Sequence, residues 1–142
     1  MASISLRKAR TIIRKTLQKG HEMGLKPLSV VVVDDGGHVI AFEREDGAPP
    51  GRFAIANGKA AGVVLTGMPG SAMMARAEAQ GYFMTALNGA YGGRLVPVPG
   101  GILVRDGRGR VVGGVGVTGD ASDNDALAGM AGIEAAGLHG EP

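Results

Sequence analysis

The sequence predicts an α+β fold in which an antiparallel sheet is covered by helices. Two β-branched runs joined by Asp-Gly turns, at residues 30–42 and 102–117, are strong signals for β-hairpins. Segments with helical periodicity flank and separate them, which gives the element order α-β-β-α-α-β-β-α. Because hairpin strands pair antiparallel, this order excludes a doubly wound parallel sheet. With 142 residues, we expect a single domain that spans residues 1–142.

The first half of the chain predicts one helix and the first hairpin. Apolar residues recur three or four positions apart over residues 5 to about 24, with Ser3 or Ser5 as the N-cap and Gly24 as the stop. The continuous apolar run 28–33 predicts a central strand buried on both faces. Residues 38–44 pair back to it.

The second half predicts three helices and the second hairpin. The helix at 52–65 is rich in alanine and glycine. Interior glycine costs about 1 kcal/mol relative to alanine, so we expect a neighbouring backbone or a flat ligand to approach this helix closely. Residues 71–87 predict a third helix, and 95–98 a short edge strand limited by Pro97 and Pro99. The second hairpin is followed by a last helix, at 122 to about 137, where Ser122 and Asp125 have capping-box spacing. Residues 139–142 are expected to form a tail.

Composition excludes several function classes. The net charge of +2 is too small to indicate nucleic-acid binding, and the absence of cysteine excludes disulfides, thiolate metal sites and a cysteine nucleophile. No apolar run is long enough to cross a membrane, and the basic N-terminus lacks the apolar segment of a signal peptide. We therefore expect a cytoplasmic protein that binds neither nucleic acid nor membrane.

The three histidines, at positions 21, 38 and 139, argue against a zinc site because no pair has metal-ligand spacing. His21 lies near the end of the first helix and has two interpretations. It can be a cation favoured by the helix C-terminus, or an axial ligand of haem.

Charged residues at 44, 46 and 59 predict a second candidate site. Arg44 and Asp46 share one face of a strand end, where they could hold a carboxylate and a proton or form a plain salt bridge. Lys59 lies on the apolar stripe of its helix, where it either snorkels to the edge or acts as an anion binder or base. Gly100-Gly101 leaves room for a ligand near the backbone. We expect these residues to converge on a pocket for a small anionic ligand near a subunit boundary.

The glycine-rich run 113–119 is similar to a phosphate loop only in composition. It lacks the lysine of a Walker motif and does not open a dinucleotide-binding unit. Close packing of a strand is the better interpretation, although the helix start that follows could hold an anion.

The motifs together resemble the GlcG/HbpS family, which includes the C-terminal domain of PduO-type cobalamin adenosyltransferases. The first half carries Val33-Asp34, Gly36-Gly37, Arg44-Glu45-Asp46-Gly47-Ala48 and Asn57-Gly58-Lys59-Ala60. The second half carries Pro99-Gly100-Gly101-Ile102, Gly116-Val117-Thr118-Gly119 and Asp123-Asn124-Asp125-Ala126. The motifs cover nearly the whole chain in the family's order.

The resemblance implies a profilin-like domain that assembles into dimers or larger oligomers. Some members of the family bind haem, and others sit beside catabolic enzymes with no assigned activity. The family's motifs place functional residues at Arg44, Asp46, Lys59 and Asp125, whereas His21 is a candidate ligand from this chain's own residues. The leading expectation is an oligomeric ligand-binding protein with His21, Asp125 and the Gly100-Gly101 turn at the cofactor. The alternatives are an isomerase or lyase that uses Arg44, Asp46 and Lys59 on a small carboxylate, and a purely structural partner subunit.

Overall fold

The computed structural model describes residues 3–142, which contain five helices and five strands. The helices are α1 (Leu6–Glu22), α2 (Arg52–Thr66), α3 (Gly70–Ala79), α4 (Gly81–Ala90) and α5 (Ser122–Ala135). The strands are β1 (Ser29–Val33), β2 (Val39–Arg44), β3 (Gly101–Arg105), β4 (Val111–Thr118) and β5 (His139–Glu141). All strands pair antiparallel in the order β2-β1-β4-β3-β5, so the α+β fold is confirmed. The predicted element order is confirmed as well, with one predicted helix divided in two and one strand added at the end.

The sheet separates two layers of helices because alternate residues of each strand face opposite sides. Val30 and Val32 of β1 pack in the core formed with α1 and α5. Val31 and Val33 pack against Ala56 and Ala60 of α2 on the other face. All five residues of β1 are buried, as its continuous apolar run predicts.

The predicted end signals of α1 are confirmed. The Ser5 hydroxyl accepts the Lys8 backbone N–H at 3.2 Å, which satisfies one of the free donors of the first turn. Gly24 follows the helix with a φ of 68°, the left-handed conformation that glycine adopts without strain.

Three local predictions are wrong. The single helix expected at 71–87 is two helices, α3 and α4, which meet at Gln80. Residues 95–98 form no strand, and the Val96 N–H instead donates to the Gly58 carbonyl of α2 at 3.2 Å. The expected tail contains β5, which pairs with the edge of the sheet at β3.

Glycines of the sheet let α2 lie directly on the backbone of β3 and β4. A Cβ atom on Gly114 would lie 2.6 Å from the Ala60 carbonyl oxygen, and one on Gly116 would clash with the Ala56 carbonyl oxygen. The close approach expected from the small residues of α2 is therefore to the sheet backbone at Ala56 and Ala60, and to the Val96 side chain at Gly58. This packing brings the middle of α2 within reach of the end of β4.

Within residues 3–142, none of the helices has both the length and the apolar character needed to cross a lipid bilayer.

Candidate functional site

The centre of the molecule holds a buried ion pair between Lys59 of α2 and Asp125 of α5. The Lys59 ammonium lies 3.4 Å from Asp125 Oδ2 and donates a 2.8 Å hydrogen bond to the Val117 carbonyl of β4. The other carboxylate oxygen, Oδ1, accepts the Asp120 backbone N–H at 2.9 Å. The side chains of Lys59 and Asp125 are only 3% and 1% exposed. Through the contacts of Lys59 with Val117 and Asp125, the pair links α2, β4 and α5 inside the fold.

Burial governs the protonation of both partners. It lowers the pKa of the Lys59 ammonium, an effect that the nearby Asp125 carboxylate opposes. Burial raises the pKa of Asp125, against the effects of the Asp120 N–H and the Lys59 charge. The Lys59 ammonium and the Asp125 carboxylate are thus each stable in the charged form only because the opposite charge is present.

The Gly100-Gly101 turn lies against this pair. A Cβ on Gly100 would lie 2.8 Å from Lys59 Nζ, and one on Gly101 would lie 2.8 Å from the Lys59 carbonyl oxygen. The space above these glycines is thus filled by Lys59 itself. The structure brings Lys59, Asp125 and the two glycines together, in a closed arrangement.

Arg44 and Asp46 are exposed, whereas the Lys59–Asp125 pair is buried. Among residues 3–142, neither side chain forms a hydrogen bond or ion pair with Lys59, whose ammonium is turned inward. Lys59 does not snorkel either, since its side chain is almost fully buried. A catalytic role for these three residues stays a prediction without the common pocket that the sequence led us to expect.

The capping box expected at Ser122 and Asp125 is also wrong. The N-cap of α5 is Ala121, which has no side-chain cap, and Asp125 is turned to the interior. The neighbouring Asp120 accepts hydrogen bonds from the Asn124 side chain and from the backbone N–H groups of Ala121 and Lys26. These donors, led by Asn124, lower the pKa of Asp120 to about 2.

A large groove lies on the outer face of α1, and we call it the α1 groove. It has a volume of about 950 Å³. Its lining combines apolar Leu6 and Leu17, the guanidinium groups of Arg7, Arg10 and Arg14, and the imidazole of His21. The three arginines are exposed, and within residues 3–142 none of them has an acidic partner. The groove is therefore a basic, partly apolar surface with one histidine.

His21 lies in this groove with its side chain 74% exposed. Its Nε2 is 2.7 Å from Oε2 of Glu45, the residue that follows β2. The other Glu45 oxygen, Oε1, accepts the Leu28 backbone N–H at 2.7 Å. Sequence reasoning found His21 but missed Glu45, because their pairing depends on how β2 ends beside the last turn of α1.

The protein is a small α+β domain with a basic groove on its first helix, and the comparisons with known proteins identify its family. The model of a family described as the haem degrading protein HbpS-like family matches residues 4–134. The match covers nearly the whole chain, so the chain belongs to this family, as its motifs predicted. A search of curated proteins gave no match.

Solved structures share the fold over almost their whole length. The PduOC–haem complex has a TM-score of 0.84 at 20% identity and covers 96% of both chains. A double mutant of HbpS from Streptomyces reticuli has a TM-score of 0.77 at 27% identity, over 93% of this chain and 86% of that one. ORFY from Klebsiella pneumoniae has a TM-score of 0.83 at 22% identity, over 94% and 90% of the two chains.

Proposed function

We propose that this protein binds haem and that the α1 groove is the haem site, with His21 as an axial ligand. The observation that carries the proposal is an exposed imidazole in a large groove with arginine and leucine side chains. Family membership and the fold shared with a haem complex support it.

The residues of the α1 groove fit the chemistry of haem. Its volume lies within the range of roughly 300–1,000 Å³ that is common for cofactor sites. Leu6 is 48% exposed and offers apolar contact to a macrocycle, together with Leu17. Guanidinium groups bind carboxylates strongly, so Arg7, Arg10 and Arg14 suit haem propionates. When bound, haem supplies an iron centre for ligand binding and electron transfer.

The groove is open on the side away from α1. One copy of the chain therefore contacts only one face of a flat ligand, and its lining contains no aromatic side chain that could fold over the other face. We infer that a second copy covers the outer face, in line with the self-association expected from the sequence. Light scattering with and without hemin would test this, since a haem-linked dimer increases in mass on titration.

Titration with hemin, followed in the Soret region, tests the proposed site. We expect a saturable Soret shift in the wild-type protein, loss of that shift in His21→Ala, and no loss in His38→Ala. His38 is the matched control because its side chain is 77% exposed and also pairs with a carboxylate, Asp34 Oδ1 at 3.3 Å. A wild-type protein without a saturable shift removes the haem proposal. An unchanged shift in His21→Ala removes the assignment of the ligand.

The alternative function, an enzyme acting on a small carboxylate, has less support. It needs Arg44, Asp46 and Lys59 at one substrate, but the Lys59 ammonium is enclosed by Val117 and Asp125. Because the Lys59 ammonium is already paired inside the fold, the proposal for this chain remains the haem site.

A further inference from the structure

The His21–Glu45 contact has a consequence for the α1 groove. Glu45 is held at both carboxylate oxygens, by the Leu28 backbone N–H at 2.7 Å and by His21 Nε2 at 2.7 Å. Its side chain is only 16% exposed, whereas that of His21 is 74% exposed. Glu45 is thus a fixed acceptor, and the imidazole is the partner that is free to move.

The contact determines which imidazole nitrogen carries a proton. A carboxylate only accepts hydrogen bonds when ionised, so the bond to Glu45 requires a proton on Nε2 of His21. A protonated ring nitrogen has no lone pair for a metal. In a neutral ring the free lone pair is then on Nδ1, which lies beside the ring carbon that bears Cβ. That substituent crowds a flat macrocycle, so Nε2 is the sterically accessible nitrogen for haem iron.

We propose that Glu45 is a latch on His21 that competes with haem iron for Nε2. This inference rests on the proposed function. For Nε2 to hold haem iron, the Nε2–H···Oε2 hydrogen bond would break and the neutral ring would change tautomer, with the Nε2 proton lost to solvent and one proton taken up from solvent at Nδ1. No oxidant or reductant is consumed in this exchange.

The rest of the structure allows the latch to open locally. Oε1 of Glu45 keeps the Leu28 N–H when the imidazole leaves, and the Glu45 backbone N–H keeps its 3.0 Å bond to the Leu28 carbonyl. The exposed imidazole of His21 can rotate without displacing core side chains. Because the imidazole is 74% exposed, its contact with Glu45 competes with water, so the latch weakens haem binding by a few-fold and does not prevent it.

Glu45→Gln is the direct test, and Glu43→Gln is the matched control. A glutamine at 45 can still accept the Leu28 N–H, but the amide group left facing His21 is a donor that does not favour a proton on Nε2. Glu43 is exposed and also lines the α1 groove, so its substitution removes the same charge without touching His21. The comparison of the two variants isolates the latch from the change in net charge.

We expect Glu45→Gln to bind hemin about 2- to 5-fold more tightly than Glu43→Gln. Nitrogen-15 NMR of the haem-free protein should show His21 protonated at Nε2 in the wild type and a shift toward Nδ1 protonation in Glu45→Gln. If wild type binds hemin through His21 but Glu45→Gln binds no more tightly than Glu43→Gln, the latch is wrong and the haem site stands. The latch is also wrong, and the haem site still stands, if NMR finds Nε2 of His21 unprotonated in the wild type. If wild type shows no hemin binding, the proposed function and the latch both fail.

Discussion

His21–Glu45 and Lys59–Asp125 each join a cation-forming side chain to a carboxylate, but their surroundings differ. In the first pair, the imidazole of His21 is largely exposed in an open groove, where it can leave the carboxylate of Glu45. The second is enclosed by α2, β4 and α5, where neither partner can be charged alone without a large desolvation cost. The comparison shows that the environment of a charged residue decides whether it is available to a ligand or holds the fold.

The largest expected effect is the loss of one partner of the buried pair. Lys59→Met leaves the Asp125 carboxylate buried without its cation, which costs about 3–5 kcal/mol of unfolding free energy. Urea unfolding measures this, with Lys19→Met as the control. Lys19 is a half-exposed lysine that also pairs with a glutamate, Glu22, at 4.0 Å, and its substitution should change stability by no more than about 0.5 kcal/mol.

A double variant distinguishes an unpaired charge from lost packing. Lys59→Met with Asp125→Asn removes both charges, while the asparagine oxygen can still accept the Asp120 N–H. We expect it to regain more than half of the stability lost in Lys59→Met. A double variant that is less stable than Lys59→Met would show that Lys59 stabilises the fold by something other than its pairing with Asp125.

The next effect in size concerns the close contact that encloses the buried pair. In Gly116→Ala, the new methyl group meets the Ala56 carbonyl oxygen, a backbone atom that cannot turn away. We expect a loss of about 1–3 kcal/mol, the usual range for overpacking. Gly107→Ala is the control because a Cβ there meets no atom within 4 Å. Equal melting temperatures for the two variants would contradict the close packing of α2 on β4.

The smallest effect concerns Asp120, which connects the region of the buried pair to the loop after α1. Its pKa is lowered from 3.8 to about 2 by hydrogen bonds, first of all from Asn124. A carboxyl group with a lowered folded-state pKa stabilises the fold above its unfolded pKa, and this contribution is lost as the pH falls from about 4 toward 2. Asp120→Asn should therefore lose less stability between pH 5 and pH 2.5 than the wild type does. Asp123→Asn, a change at an exposed residue of the same segment, should keep the wild-type pH dependence in urea unfolding.

Local patterns in the sequence were enough to predict the fold. The β-branched runs with their Asp-Gly turns define both hairpins, and the serine and glycine signals at its ends define α1. The break between α3 and α4 was missed because no proline marks it, although Gly81 directly follows it. The strand β5 was missed because His139-Gly140-Glu141 has no strand-like composition and is ordered by pairing with β3.

The candidate site was predicted only in part because its contacts join distant segments. The sequence identified Lys59, Asp125 and the glycine turn as important, but their mutual burial depends on α2 and α5 packing on opposite faces of the sheet. The same limit applies to His21 and Glu45, which are brought together by the end of β2. The periodicity of a sequence indicates which face of a helix or strand a residue occupies. It does not indicate which residues of other elements pack against that face.

Hemin titration of His21→Ala beside Lys59→Met is the decisive measurement for a haem site in the α1 groove, since it separates the open groove from the buried pair. At a temperature where both variants are folded by circular dichroism, we expect His21→Ala to lose the saturable Soret shift and Lys59→Met to retain it. The opposite result, a folded Lys59→Met that no longer binds hemin and a His21→Ala that binds it as the wild type does, would contradict the account.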